Sequence, residues 1–534
     1  MTTVVIAPML VVLATAVLTL LFGSYPRLRT GLALAGTAGY ALAVALLAWT
    51  VVLAPGAPGI ATYQVGGHPA PFGITLVADG LSAFMLAMVA TVGLASAIFS
   101  TRYVHNIGYD RRTFYNPLFH VLLLGVTGAF LTGDLFNLFV WFEVMLMASY
   151  VFVAYYGGPQ HTRAAFRYVA LNLVASAVFL LAVGGLYATT GTLNMADLAQ
   201  RLADPAAYGI DPVPVVGLFG LLLSVFALKA GLVPFQFWIP SAYRAAPPPI
   251  TALLAGATKK VGIYAIIRLS FTVFAGADVP VSLSVPGTDL GIAGASPLAF
   301  VGPVLFAMAA ASIAVGGLGA IGRPSIEGVF AYSSIGQVGF IALPVALAAA
   351  ATSEQFRRLA VLAALVYALN HALAKALLFL AAGAVRSATG TIAFDDLGGL
   401  AERAPALSIA VFVGSLALVG MPPLSGFFGK FLVFEAAIRA EAGGALVVLL
   451  AGSLLTIAYA TRVWNRGFWG APSTAVTDAR MDRVQVAAVV ALAAGVLAVG
   501  IGFDPVYEFA EVAAEAALDA EGYAEAVDPG GEAA

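Results

Sequence analysis

The sequence predicts an all-α, polytopic membrane protein of about fourteen transmembrane helices. Of its 534 residues, 61% are hydrophobic and only 10% are charged, where a soluble chain carries about 25% charged residues. Mean hydropathy is +0.97. Apolar runs of roughly 20 residues, the length that crosses a hydrocarbon core of about 30 Å, recur from one end to the other. No arrangement of soluble domains hides so much apolar surface under so few charges, so soluble enzymes and DNA-binding modules are excluded.

In order, the runs fall at about 4–22, 31–53, 75–100, 116–131, 134–156, 165–188, 213–239, 249–273, 298–320, 328–350, 357–383, 405–436, 444–464 and 484–503. The first reads as a retained helix, because Met1-Thr2-Thr3 supplies no positive n-region and the run is too long for a signal-peptide core. Two runs are interrupted by glycine and proline, at Leu228-Lys229-Ala230-Gly231-Leu232-Val233-Pro234 and at Gly420-Met421-Pro422-Pro423-Leu424-Ser425-Gly426. Paired breaks of this kind mark either an internal structural repeat or two unrelated proline kinks. Gly317, Gly319 and Gly322 match G-x-G-x-x-G, but they close an apolar run with no βαβ context, so they read as helix packing.

The net charge of -2 hides an uneven distribution. Residues 504–534 hold nine acids and no base, which leaves +7 on the rest. Glu508, Glu511 and Glu515 lie opposite Val506, Phe509, Val512 and Ala513, so the tail begins as a surface helix, and beyond about residue 520 it reads as disordered. One set of alternate loops collects fifteen arginines, from Arg27 to Arg483, and the other only Arg201, Arg268, Arg357, Arg358 and Arg439. Cytoplasmic loops gather Lys and Arg, which predicts both termini outside. The arginines stand singly or in pairs, so no nucleic-acid surface is expected.

With Cys 0, the chain has no disulfide, thiolate iron-sulfur cluster or cysteine zinc site. Its five histidines, His68, His105, His120, His161 and His371, show no metal-binding i, i+4 pair, which leaves a haem held across the fold as the minor alternative to no cofactor.

The sharpest signal is lysine placement. All five lysines (Lys229, Lys259, Lys260, Lys375 and Lys430) fall inside an apolar run or at its break. An ammonium at the bilayer centre costs about 2.5–3.5 kcal/mol on insertion scales, so such placement implies a use. Arginine keeps its proton at physiological pH, whereas a buried lysine is able to release one. Glu143 is the one acid near the middle of a long run, with Asp79 and Asp134 near run ends. A carboxylate there needs a partner, and Lys229 is the expected one, either as a working pair or as a static bridge.

Lys259 and Lys260 are adjacent, so on a helix they point about 100° apart and are not expected to share one polar path. His371 and Lys375 are four apart and share a face with Tyr367 and Asn370 nearby; the readings are a relay or a satisfied core histidine. Ser333, Ser334 and Gln337 suit either water conduction or interhelical contacts. Lys430 and Glu435, five apart, do not align, and Lys430 reads as a terminal gate.

Several segments together resemble a known family: Gly133-Asp-Leu-Phe-Asn-Leu-Phe-Val-Trp-Phe-Glu143, Leu228 to Pro240, Lys260-Val-Gly-Ile-Tyr264, Tyr332 to Gln337, Asn370 to Phe379 and Gly426 to Lys430. They are similar to the antiporter-like subunits shared by Mrp cation/proton antiporters and respiratory complex I, over about 75–467. Within the family, the approach to Glu143, Lys430 and the length resemble the D-type members of Mrp multisubunit Na⁺/H⁺ antiporters.

The resemblance implies three leading helices (1–100), two inverted five-helix repeats (116–273 and 298–464), a last span (484–503), and broken seventh and twelfth helices. It implies proton-relay roles for Glu143, Lys229, Lys260, His371, Lys375 and Lys430, with no bound cofactor. Lys259 departs from the pattern, which commonly has Thr there, so the relay member is Lys259 or Lys260. The implied setting is a bacterial plasma membrane, in a hetero-oligomer with other Mrp subunits, moving H⁺ and Na⁺. A proton-pumping arm of a complex I-like NADH:quinone oxidoreductase is the alternative, and a non-transporting scaffold a third. The sequence assigns no Na⁺ site.

Overall fold

A computed structural model of the chain describes residues 2–103, 109–277, 279, 281–284, 291–294 and 296–528. Met1, His105 and the last six residues lie outside these, and the side chains of Arg111 and Arg112 are likewise not described. Three helices open the fold: α1 (Thr2–Leu21), α2 (Pro26–Ala48) and α3 (Gly80–Tyr103). A set of five follows: α4 (Tyr109–Leu131), α5 (Leu135–Val153), α6 (Gly158–Thr190), a broken helix formed by α7 (Val213–Ala230) and α8 (Ile239–Ala245), and α9 (Pro248–Val273). The second set is α10 (Leu298–Ile321), α11 (Ile326–Ala350), α12 (Glu354–Thr389), a broken helix formed by α13 (Pro405–Val419) and α14 (Ser425–Arg439), and α15 (Gly443–Val463). The chain then forms α16 (Arg483–Ile501), α17 (Phe503–Leu518) and α18 (Ala520–Val527).

Among the described residues, 13 helices are long and apolar enough to cross a bilayer. The remaining expected crossing is α13 with α14, two 15-residue pieces that are each too short alone. In both sets the broken helix comes fourth. Since five crossings are an odd number, the second set enters from the opposite side to the first.

The breaks are built alike. Both α7 and α13 stop at a glycine with left-handed backbone, Gly231 (φ 74°) and Gly420 (φ 94°), and Pro234 and Pro423 each follow three residues later. The freed backbone groups find partners inside the protein, as hydrocarbon demands. Trp238 Nε1 donates to the Leu228 carbonyl at 3.0 Å, and Val233 N donates to Ser312 Oγ of α10 at 2.8 Å. A Cβ on Gly420 would also meet Lys430 Cδ at 2.9 Å. Gly420→Ala is therefore expected to cost about 1–2 kcal/mol from backbone strain alone, read as a lower unfolding midpoint in detergent, whereas an alanine at Gly443, where a Cβ meets open space, costs at most about 1 kcal/mol.

Three helices form the centre. The most apolar windows of α9, α11 and α12 are 100%, 89% and 94% buried, against 28% for α15 on the rim. With 36 residues, α12 is about 54 Å long, too long for the hydrocarbon core unless tilted. It packs against α11, α13, α14, α16 and α17 and so ties the second set to the C-terminal segment. The G-x-G-x-x-G match lies at the end of α10 and packs as expected, with Gly317 against Leu455 and Gly319 against the Tyr332 ring.

Three expectations need correction. First, the run expected at 75–100 is not helical throughout: Thr75–Asp79 is strand β2, paired antiparallel with β1 (Ile60–Gln64) in the register Ile60 to Asp79. A short buried apolar run with Thr and Val does not declare its type by periodicity. A second hairpin joins β3 (Val281–Ser284) to β4 (Gly291–Gly294). Second, Arg268 is not a loop charge. It is buried in the last turn of α9 and forms an ion pair with Asp79 at 2.5 Å, so it drops out of the topology count. Third, the segment after residue 520 is ordered as far as Asp528: α18 turns Tyr523, Ala524 and Val527 inward, packing on β1 and on the short helix Met195–Ala203. In α17 the small residues Ala510, Ala513, Ala514 and Ala517 form the buried face, while Glu511 and Glu515 pair with Arg358.

Candidate functional site

All five lysines are buried, and none is more than 6% exposed. Each is placed by a local feature of its helix. Lys229 sits in the last turn of α7, two residues before the break at Gly231. Lys259 and Lys260 follow a π-helical turn, Leu254–Thr258. Such turns are rare and widen the helix at functional positions. Here the turn supplies the Ala255 carbonyl, which accepts a hydrogen bond from Lys260 Nζ at 2.9 Å.

Both members of that pair reach toward the second set, contrary to the expectation that only one faces the path. Lys259 Nζ donates to the Ser334 carbonyl of α11 at 3.0 Å. Lys260 Nζ lies 2.6 Å from His371 Nδ1 of α12. The flexible four-carbon stems overcome the 100° between adjacent Cβ directions, since both α11 and α12 pack against α9. His371 Nε2 has no hydrogen-bonding partner among the described residues. One turn on, Lys375 Nζ donates to Ser333 Oγ and to the Phe330 carbonyl at 3.2 Å.

From there a hydroxyl and amide network continues. Gln337 Nε2 donates to Tyr459 OH at 2.7 Å and to Thr456 Oγ1 at 3.1 Å, and the Tyr367 hydroxyl donates to Gln337 Oε1. At the second break, Ser425 Oγ donates to Asn370 Oδ1 at 2.8 Å. Lys430 Nζ donates to Ser453 Oγ at 3.2 Å and lies 4.8 Å from the Phe340 ring centroid, within cation–π range. Glu435 is not part of this line; it pairs with Arg439 at 2.6 Å.

The expected bridge between Glu143 and Lys229 is not formed. Half-buried Glu143 accepts from Ser176 of α6, while Lys229 Nζ has no hydrogen-bonding partner among the described residues and lies 5.4 Å from the ring of Phe142. The two helix neighbours Phe142 and Glu143 thus face different elements, the ring toward the ammonium and the carboxylate toward α6. A ring face offsets only part of the desolvation of an ammonium.

Sequence reasoning missed Ser176, Ser453, Thr456 and Tyr459. The last three carried a signal: polar residues at i, i+3 and i+6 follow the apolar first half of α15 and form one stripe.

Comparison with known proteins bears directly on this arrangement. Residues 132–285 and 293–456 match the family model described as "NADH:quinone oxidoreductase/Mrp antiporter, TM". The chain belongs to this family. Residues 64–115 also match the model "NADH-Ubiquinone oxidoreductase (complex I), chain 5 N-terminus". The chain is 35% identical over 471 residues, 88% of each protein, to the D-type Na(+)/H(+) antiporter subunit of Alkalihalophilus pseudofirmus. It is also 35% identical over 451 residues, 83% of each, to the N-type NADH-quinone oxidoreductase subunit of Desulforudis audaxviator. A chain in the solved Mrp complex from a Dietzia species superposes with a TM-score of 0.85 at 28% identity, covering 99% of this chain and 100% of that one. The chain is a multi-pass membrane protein of the antiporter-like family, with the nearly all-helical architecture and the Mrp likeness that its motifs imply.

Proposed function

We propose that this chain is the proton-carrying integral subunit of a multisubunit monovalent cation/proton antiporter, a secondary transporter that exchanges Na⁺ for protons together with other Mrp-type subunits. The observation that carries the reading is the set of five buried lysines, three of which meet exchangeable side-chain groups: Lys260 at His371, Lys375 at Ser333 and Lys430 at Ser453. Likeness to the Na(+)/H(+) antiporter relatives supports the choice of Na⁺ as the counter-ion. Residues 116–273 and 298–464 are the two repeats, and both termini face outward in a bacterial plasma membrane.

In this reading Glu143 is the entry-side acid that biases Lys229. Lys229 hands its proton toward Lys260, and His371 passes it to Lys375 on the same face of α12. Lys430 is the exit gate, held beside the second break. None of the five ammonium groups is paired with a carboxylate among the described residues, so no fixed counter-charge holds a proton at one lysine of the line.

The test is Na⁺-dependent proton flux in vesicles containing the whole complex. Glu143→Ala and Lys229→Ala are each expected to lower flux about tenfold to a hundredfold, with subunit assembly intact. Undiminished flux in both removes them from the pathway.

One observation favours a second reading. Identity to the oxidoreductase relative equals that to the antiporter relative, which fits a proton-pumping arm of a redox complex. Co-purifying partners that carry flavin or iron-sulfur clusters would decide for it.

A further inference from the structure

A cavity of about 820 Å³ lies between the first set of five helices and the second, and no lysine lines it among the described residues. Five arginines line it: Arg163 and Arg167 from the start of α6, Arg244 from α8, Arg323 beyond the end of α10, and Arg386 near the end of α12. No acidic residue lines it among the described residues. A nearby carboxylate, Glu327, is already bound to Arg386 at 2.5 Å. Arg323 donates Nε to the Gly319 carbonyl at 3.1 Å and stacks its guanidinium on Tyr332 at 4.3 Å, which fixes its position without neutralising it.

Arg163 and Arg167 are four apart on one helical face, an arrangement that repels unless an anion lies between them. Gln236, in the first break and only 8% exposed, lines the same cavity, and its Oε1 has no hydrogen-bonding partner among the described residues. That atom needs a donor, which an inorganic anion without a proton does not provide.

The surroundings are those of a lipid. Phe237 and Val315 line the cavity and are 69% and 39% exposed, which gives it an apolar flank beside the arginines. All five arginines lie at the helix ends on the arginine-rich side, the level at which headgroups sit. Guanidinium groups bind phosphate oxygens through paired N–H donors.

We propose that this cavity binds the headgroup of an anionic phospholipid bearing a hydroxyl, of the phosphatidylglycerol type. The phosphodiester sits among the five arginines, the glycerol hydroxyl donates to Gln236 Oε1, and the acyl chains run down past Phe237 and Val315. The lipid thereby adds a bridge from α6 and α8 of the first set to α10 and α12 of the second, beside the protein contacts that already cross the seam.

The experiment is native mass spectrometry of the purified whole complex, titrated with phosphatidylglycerol or phosphatidylcholine in detergent. Wild type is expected to retain phosphatidylglycerol at least about tenfold more tightly than phosphatidylcholine. The double variant Arg163→Ala, Arg167→Ala, two exposed positions whose loss spares the core, is expected to lose one tightly held lipid per complex. Arg244→Gln, on a separate element, is expected to weaken retention in the same direction. Equal retention of the two lipids overturns the proposal, as does retention unchanged in both variants. Inorganic phosphate that displaces the lipid at equal concentration also overturns it, since the site would then be one for a free anion.

Discussion

Lys260→Ala in the assembled complex is expected to lower Na⁺-driven proton flux about a hundredfold or more, while Lys259→Ala stays within about tenfold of wild type. The two side chains are equally buried, so depth does not separate them. Their partners do. Lys259 Nζ donates to the Ser334 carbonyl, an acceptor that takes a hydrogen bond but never a proton. Lys260 Nζ faces His371 Nδ1 at 2.6 Å, a ring that takes a proton on one nitrogen and releases one from the other. Lys260→Arg sharpens the test, because it keeps the charge and removes the ability to discharge. If charge alone mattered, Lys260→Arg would transport; the relay predicts loss as severe as that of Lys260→Ala. His371→Ala should behave like Lys260→Ala for the same reason. Equal losses at 259 and 260 would defeat the assignment, provided size-exclusion profiles show the complex intact in each variant.

The sequence made the members of this line visible, but not its wiring. Burial cost alone singles out five lysines that avoid every loop, and four-residue spacing puts His371 beside Lys375 on one face. Those are local facts. The contact between Lys260 and His371 joins residues 111 apart, and only the packing of α9 against α12 creates it. The same limit explains Glu143. Sequence shows that a mid-span carboxylate needs a partner and points to Lys229, yet only the placement of α6 and α7 decides it, and α6 supplies the Ser176 hydroxyl instead. Short elements were illegible for another reason. Thr75–Asp79 is buried on every residue, so it has neither the period of two nor the period of 3.6 that would mark its type. The breaks were legible because Gly and Pro act on the backbone directly, and both structural breaks fall where the sequence puts them.

Asp79→Ala is expected to have the largest effect on stability, about 3–5 kcal/mol. Asp79 and Arg268 are each 2% exposed in their side chains and 2.5 Å apart. Removing the carboxylate strands a guanidinium that has no water to turn to. The remaining contacts are too weak to replace it: Thr272 Oγ1 at 3.3 Å, Tyr264 OH at 3.4 Å, and the Tyr523 ring at 4.9 Å. Asp79 also holds the start of α3 through Ser82 N at 2.9 Å and Ser82 Oγ at 2.8 Å, so the loss spreads to a second helix. A paired apolar replacement separates the stranded charge from the lost contact. Asp79→Leu with Arg268→Met should unfold at a higher temperature than Asp79→Ala alone, since a buried apolar pair substitutes for a buried ion pair at little net cost. Should the double variant melt no higher than Asp79→Ala, the damage lies in the Ser82 and α3 contacts rather than in the unpaired arginine. The position also matters to transport. Arg268 is eight residues beyond Lys260 on α9, about 12 Å along its axis, and it anchors the far part of the helix whose middle carries the relay lysine. Flux in Asp79→Ala is therefore expected to fall together with the unfolding midpoint, and to recover with it in the double variant.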